Sequence, residues 1–547
     1  MRLVIIGAVA AGTSAATKAR RNNEEAQIVI YERDNFISYA GCGMPYYIGG
    51  EVESADELTP RDPAFFKSKY NVDIHTLHEV LSINPEEKTL LVKNISTKEM
   101  FTDHYDKLII ATGAQSAVPP IEGVKSNHVF ALRTINDMNR IKVFIDMNHP
   151  KSAVIVGSGF IGLEVCENLK RLGIEVALIE KLSQVTPGLD SDMAIYVEEH
   201  IEKNGVKVLT DASVTEITSN SVILADGTKI NADMVLMATG VRPNTQLATT
   251  AGIKIGVTGA ISVNTKMQTN LPDIYACGDC TEQFHLVTGK PIYRPLGSTA
   301  NKTGRIAGDS ITGGNLEFRG ILGTGIFRVF DMTVAQTGLS EREAIEQGYE
   351  VVVCHNIKPD KPEYMGGKEM VIKGIADKKT GRLLGVQIVG SDGVDKRVDV
   401  FVTAITFKAK AEDLFHLDLA YAPPFSTTKD PVMYTGMILD NAINKGRPLI
   451  TASGLNQLIS SGKDYNLLDN RSAEQFEYEH IESAYNIPQS ELRDAANNLD
   501  KNVATVTYCN KGVTGNATQN ILMNQGFKEV YNLSGGHNHY SKVNYKK

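Results

Sequence analysis

Short, almost uninterrupted apolar runs punctuate this chain, each followed by a glycine turn and a stretch with helical spacing. Arg2-Leu-Val-Ile-Ile6 predicts a strand and Gly7 to Gly12 a turn. An alanine-rich helix and the strand Ile28-Val-Ile-Tyr31, closed by Glu32, come next. Runs apolar on both faces suit a parallel sheet covered by helices. The order repeats from Lys151: Ala153-Val-Ile-Val156, the turn Gly157-Ser-Gly159-Phe-Ile-Gly162, a helix to Leu172, and Val176-Ala-Leu-Ile179 closed by Glu180. Tyr105-Asp-Lys-Leu-Ile-Ile-Ala111-Thr112-Gly113 also has a near copy, Ala232-Asp-Met-Val-Leu-Met-Ala238-Thr239-Gly240. Each predicts a strand running into a turn where backbone can approach a ligand closely. From Gly320 to Gly446 strands and helices continue without a nucleotide signature. Gly446 to Gly454 reads as a linker, and the residues after it as a separate small α/β unit.

The two glycine turns carry the dinucleotide fingerprint. Glycines allow the tight turn and close helix packing, N–H groups at the helix start receive a pyrophosphate, and the acid ending the next strand takes a ribose. Val9 holds the middle glycine position of the first copy, and the second is complete. Two copies in one chain imply two dinucleotides. Gly7, Val9, Ala10, Ala11, Gly12, Glu32 and Ala111-Thr112-Gly113 are assigned to the first. Gly157, Gly159, Phe160, Ile161, Gly162, Glu180 and Gly240 are assigned to the second.

A chain of 547 residues is too long for one core and predicts several domains. The net charge of −8 argues against a general nucleic-acid binder. Six cysteines (42, 166, 277, 280, 354 and 509) in so long a chain do not make a disulfide framework. Arg2 to Arg20 superficially resembles a signal peptide, but a strand, turn and helix fit it better because Glu32 follows on schedule. No apolar run approaches the ~18 residues of a membrane span. The expectation is a cytoplasmic protein with no membrane or nucleic-acid partner.

Phe36-Ile-Ser-Tyr-Ala-Gly-Cys42-Gly-Met-Pro-Tyr-Tyr47 places one cysteine just ahead of a proline, a residue favoured at the first turn of a helix. Backbone N–H groups there favour a thiolate. No second cysteine lies within five residues, so the thiol would exchange with a sulfur from outside. Alone, the residue reads first as a buried inert cysteine, and it is the rest of the chain that overturns this.

With Thr269-Asn-Leu-Pro-Asp-Ile-Tyr-Ala-Cys-Gly278-Asp279 added, the chain resembles the two-dinucleotide flavoprotein disulfide reductase superfamily. The resemblance implies FAD on the first fingerprint and on Gly278 and Asp279, with Arg33, Val80, Arg133 and Ala300 in the same cofactor set. It implies a nicotinamide nucleotide on the second fingerprint. Glu180 favours NADH over NADPH, since a carboxylate repels a 2′-phosphate. Cys277-Gly-Asp-Cys280 has redox or half-zinc spacing, but no matching second Cys/His pair exists and no metal is assigned. Gly320 to Gly446 would be the dimerisation domain, making a homodimer. Leu467-Leu-Asp469-Asn-Arg471 and Val503-Ala-Thr-Val-Thr-Tyr508-Cys509-Asn-Lys-Gly512 resemble a rhodanese domain, whose loop cradles a cysteine thiolate or persulfide. Thr514 stands where many rhodaneses have arginine, and Tyr540 where tryptophan is usual. His537 and His539 are read as part of a polar C-terminal loop. The fold class is therefore α/β: two Rossmann-like dinucleotide-binding domains, an α+β dimerisation domain and a C-terminal rhodanese-like α/β domain. The expected boundaries are 1–115 and 245–319 for the FAD-binding domain, 116–244 for the NAD(P)H-binding domain, 320–446 for dimerisation and 455–547 for the rhodanese-like domain.

The whole resembles coenzyme A-disulfide reductases and their rhodanese-fused persulfide-reductase relatives, with Ser38-x-x-x-Cys42-x-x-Pro-Tyr as the most specific motif. That implies reduction of coenzyme A persulfide, polysulfide or coenzyme A disulfide at Cys42, with sulfane sulfur relayed by Cys509. Ser14, Lys18, Arg21, Ser38, Asn301 and Lys429 would bind the coenzyme A substrate, and Tyr364 and Tyr421 would donate a proton from the partner subunit. Two alternatives stand beside it. A single-cysteine NADH oxidase or peroxidase would cycle through sulfenic acid, but such peroxidases have histidine in the first glycine turn, where this chain has Ala10. A non-catalytic flavin redox sensor would show no turnover.

Overall fold

The computed structural model describes residues 1–544, in two compact units: residues 1–183 with 205–321, and residues 184–204 with 322–544.

The first unit holds two five-stranded sheets, each wholly parallel. One runs Ile274–Ala276, Lys107–Ile110, Arg2–Ile6, Gln27–Tyr31, Val72–His75. The other runs Lys207–Leu209, Glu175–Ile179, Ser152–Val156, Met234–Met237, Val129–Phe130. In each the fingerprint strand lies between the strand that ends in the acid and the strand that ends in Ala-Thr-Gly. Leu3, Val4 and Ile5 in one sheet and Val154 and Ile155 in the other are fully buried, as continuous apolar runs in a parallel sheet require.

The second unit holds an antiparallel sheet in the order Gly325–Val329, Met332–Gly338, Leu383–Gly390, Glu369–Asp377, Val351–Pro359. Helices Ser191–Lys203, Val394–Thr406 and Pro431–Asn444 pack on it. A parallel sheet follows in the order Leu449–Ile450, Val530–Leu533, Ala504–Tyr508, Tyr465–Asp469, Tyr485–Asn486.

Three features differ from the sequence expectation. Residues 184–204, expected with the nicotinamide nucleotide domain, group with the second unit. Asp190 and Asp192 bring them there by pairing with the buried Lys373 at 3.1 and 2.8 Å. The stretch Gly446–Gly454 is not a linker: Leu449–Ile450 pairs with Val530–Leu533 as an edge strand, and a helix begins at Ala452. Nor do His537 and His539 lie in a polar loop. They are buried on helix Gly536–Asn544, His539 stacked on His355 and His537 on Tyr508.

Candidate functional site

Both glycine turns are built alike. A Cβ on Gly7 would lie 2.3 Å from the Ala111 carbonyl oxygen, and one on Gly157 would lie 2.4 Å from that of Ala238. Both glycines have positive φ, and the Ala-Thr-Gly turns press against them. Cβ atoms on Gly12 and Gly162 would fall 1.8 and 2.2 Å from the carbonyl oxygens of Gly7 and Gly157. Only hydrogen fits at these four positions. Val9 and Gly159 are the N-caps of helices Ala10–Asn22 and Phe160–Arg171, and neither provides a side-chain cap. The first helical N–H groups, around Ala10, Ala11, Phe160 and Ile161, thus present two anion cradles.

The acids do more than expected. Glu32 accepts from the Ala8 and Asp34 N–H groups at 2.7 and 2.9 Å. Glu180 accepts from the Ser158 N–H and hydroxyl at 3.0 and 2.6 Å, and from the Leu182 N–H at 2.9 Å. Each carboxylate braces its own glycine turn and keeps lone pairs for a ribose. Burial pushes the Glu32 carboxyl above its usual range, with the two N–H groups opposing. Ser158 was missed by the sequence reading, although its place in the turn, one residue after Gly157, is the position of Ala8 in the first copy.

Asp279 lies in the turn Gly278–Cys280 and pairs with Arg133 at 2.6 Å. Gly278 packs so closely on Ala11 that a Cβ would approach it to 2.7 Å. Ala300 is buried on helix Gly297–Ile311, which lies along helix Ala10–Asn22. The first fingerprint, Gly113, Arg133, Asp279 and Ala300 therefore converge on one cradle, and the set fits a dinucleotide flavin. Val80 is buried on strand His78–Asn84, and Arg33 is exposed just beyond Glu32. Gly159 and Gly240, whose missing Cβ atoms would meet nothing, leave the approach to the second cradle open.

Cys42 sits in a short turn, Gly41–Gly43, that runs into helix Met44–Ile48 with Pro45 in its first turn. The helix is where the sequence placed it, but the thiolate is not. Although Cys42 reaches solvent, the protein packed around it pushes the thiol upward; Glu164 adds to this, Arg133 opposes it and Asp279 reinforces it. A five-residue helix offers little dipole, and these two carboxylates outweigh one guanidinium. Glu164 belongs to helix Phe160–Arg171, which also carries the partners of Tyr46 and Glu51 (Glu164 itself and Arg171). Cys42 thus lies where the two nucleotide folds of the first unit meet.

Of the expected substrate residues, Ser14 donates to Asn301 Oδ1 at 2.6 Å. Lys18 pairs with Asp309 at 2.9 Å, and the Arg21 guanidinium lies over the Tyr70 ring. Arg20 is buried and spends its donors on the carbonyls of Tyr70, Asn71, Asn23 and Glu24. Ser38 is held at φ +48° with its N–H donated to the Ala8 carbonyl.

In the second unit, Tyr364 and Tyr421 are 75% and 50% exposed; Tyr364 lies in the turn between strands Val351–Pro359 and Glu369–Asp377, and Tyr421 in the loop before helix Pro431–Asn444. Cys509 follows strand Ala504–Tyr508, and Gly512, at φ +86°, starts helix Val513–Asn524. Thr514 is in that helix's first turn. Lys358, from the antiparallel sheet, is held below the usual lysine range by burial and by Lys511, while the nearby Cys509 opposes the shift and Lys429 adds to it. Cys509 and Lys429 thus share a basic neighbour.

Cys277 and Cys280 are fully buried, and burial pushes both thiols up, that of Cys280 to about 11. They are core residues of the flavin-side sheet. Asp192, His355 and His539 lie close together. The two imidazoles stack at 3.9 Å with a 24° tilt, so their in-plane lone pairs cannot converge on one ion at the ~2 Å of a metal bond. The Lys373 ammonium also holds both Asp192 oxygens, at 2.8 and 2.9 Å.

Residues 1–293 match the pyridine nucleotide-disulphide oxidoreductase family, 326–431 its dimerisation domain and 451–542 the rhodanese-like domain. A protein of Methanocaldococcus jannaschii named NADH oxidase is 38% identical over 79% of this chain and 97% of its own. An NAD(P)H sulfur oxidoreductase (CoA-dependent) of Pyrococcus furiosus is 36% identical over 80% of this chain and 99% of its own. Among solved structures, reduced Bacillus anthracis CoADR-RHD superimposes with a TM-score of 0.97 at 37% identity, over 100% of this chain and 98% of that one. An NAD-dependent persulfide reductase of A. fulgidus gives 0.91 at 38% identity, over 99% and 100%. The cradles, the lone Cys42 and these matches together place the chain in the pyridine nucleotide-disulphide oxidoreductase family, as an FAD- and NAD(P)H-using oxidoreductase fused to a rhodanese-like domain.

Proposed function

We propose that this enzyme is a homodimeric, NADH-dependent reductase of coenzyme A persulfide, with coenzyme A disulfide as a second substrate and Cys509 as a sulfur carrier. One observation carries the reading most: Cys42, the cysteine beside the Arg133–Asp279 pair of the flavin cradle, is solvent-accessible, whereas the other cysteines of the first unit, Cys166, Cys277 and Cys280, are buried. Cys509 would hold sulfane sulfur as Cys509-S-SH, and the coenzyme A thiolate would take the outer sulfur, leaving the Cys509 thiolate. The Cys42 thiol then attacks the inner sulfur of coenzyme A persulfide. A Cys42–coenzyme A disulfide forms, the S–S bond to the outer sulfur breaks, and the thiol proton leaves with it as hydrogen sulfide. FAD, when bound, passes the two electrons of NADH to sulfur. NADH and one proton thus return the mixed disulfide to the Cys42 thiol and coenzyme A thiol. Tyr364 and Tyr421 of the partner subunit would protonate the departing coenzyme A sulfur. Ser14, Asn301, Lys18, Arg21, Ser38 and Lys429 would hold the nucleotide end of coenzyme A, whose phosphates need local cations on an acidic chain.

The NADH oxidase name of the archaeal relative favours a second reading, in which Cys42 reduces oxygen through a sulfenic acid. A panel of coenzyme A persulfide, coenzyme A disulfide, polysulfide, peroxide and oxygen decides between them. Cys42→Ser should keep FAD and lose every sulfur substrate, whereas Cys509→Ser should lose sulfide release from polysulfide alone. Unchanged turnover of coenzyme A persulfide by Cys42→Ser would refute the proposal.

A further inference from the structure

The two loops that bear Tyr364 and Tyr421 share one buried root. Arg397, on helix Val394–Thr406, is 1% exposed. Its Nε and Nη2 donate to the two carboxylate oxygens of Asp430 at 3.2 and 2.9 Å. Nη2 also donates to the Asp360 carbonyl at 2.7 Å and reaches the Ser426 hydroxyl at 3.4 Å, while Nη1 donates to the Gly393 carbonyl at 3.0 Å. Asp430, Asp360 and Ser426 are themselves buried.

Each acceptor controls a loop. Asp360 donates its N–H to the Lys368 carbonyl and accepts the Lys368 N–H on its carboxylate at 2.7 Å, which closes the turn from 360 to 368. Tyr364 stands at its tip, in the short turn Glu363–Met365. Gly366 at φ +71° makes the return, and a Cβ on Gly367 would lie 1.9 Å from the Lys361 carbonyl oxygen. Asp430 caps helix Pro431–Asn444 through the Val432 N–H and accepts the Ser426 hydroxyl at 2.7 Å. Ser426 in turn donates its N–H to the Ala422 carbonyl, directly after Tyr421. One planar guanidinium therefore spans both supports, and lysine, a point charge with no fork, cannot.

We propose that Arg397 is the positioning residue for both tyrosines, fixing the spacing of Tyr364 and Tyr421 before they meet substrate. The inference rests on their proposed role as proton donors. It is tested in the full-length enzyme by Arg397→Lys, alone and in a Tyr364→Phe/Tyr421→Phe background. Flavin reduction by NADH and release of the coenzyme A thiol during turnover of coenzyme A disulfide are followed separately. Alone, Arg397→Lys should slow coenzyme A thiol release by ~10–100-fold, the scale of a ~1 Å misplacement, and leave flavin reduction unchanged. In the tyrosine-free background it should add less than ~2-fold, because residues acting through one another are not additive. A full additional loss in that background overturns the positioning role while leaving the tyrosines in place. Wild-type turnover by the double Phe enzyme overturns the tyrosine role itself. If Arg397→Lys does not fold, Ser426→Ala decides by the same comparison, since it removes one hydroxyl and no charge.

Discussion

The His355–His539 stack makes stability depend on pH in a way that can be worked out. His539 is completely buried, its Nδ1 meets the Tyr196 hydroxyl at 2.9 Å, and its Nε2 has no partner among the described residues. Burial, then the neighbouring His355, hold its pKa well below the ordinary histidine range, with Asp192 opposing and Lys373 adding. The groups facing it are His355 and Lys373 from the antiparallel sheet and Asp192 and Tyr196 from helix Ser191–Lys203. Since the folded pKa lies below the unfolded value of about 6.5, the unfolded chain takes up a proton that the folded chain refuses as pH falls. The contribution is fully present above that value and is lost on acidification. Between about pH 7.5 and pH 5.5 one such proton costs about 1.4 kcal/mol. His539→Phe keeps the ring stack and removes the titration. Chemical denaturation across that range should show the variant losing about 1.4 kcal/mol less than wild type, whatever its absolute stability. Identical pH slopes for the two proteins would refute the argument.

Gly12→Ala should destabilise the first unit by ~1–3 kcal/mol or more and weaken FAD retention, because the added methyl meets the Gly7 carbonyl at 1.8 Å. Flavin absorbance after gel filtration checks this, and wild-type retention would contradict it. NADH should be used with a higher kcat/KM than NADPH if Glu180, at the end of strand Glu175–Ile179, takes the ribose as proposed, since a carboxylate there repels a 2′-phosphate; a tenfold preference for NADPH would overturn that reading.

Much of the nucleotide-binding architecture was legible because its signals are local. A glycine that must sit against a carbonyl, as Gly7 does against Ala111, leaves a fixed spacing in the chain. What stayed hidden depends on contacts between distant segments. Arg397 and Asp430 are 33 residues apart, and neither carries a motif beyond the Asp-Pro start of a helix. The upward push on the Cys42 thiol comes partly from Glu164, which only folding brings near. Leu449–Ile450 is too short for any periodicity to announce a strand. His539 read as polar because its type is polar, while its burial is decided by helix Ser191–Lys203 and the antiparallel sheet.

The edge strand Leu449–Ile450 has a mechanical consequence. Helix Pro431–Asn444 ends five residues before it, so the hinge into the C-terminal domain is a few residues clamped at both ends. Beside that strand, the Ser534 hydroxyl accepts the His355 N–H at 2.7 Å, and the Tyr196–His539 hydrogen bond adds another rivet. A body fastened at several points keeps almost no rotational freedom, so it cannot swing like an arm on a leash. Within the second unit, then, Cys509 stays where the antiparallel sheet holds it, and an acceptor of its sulfur has to come to its loop.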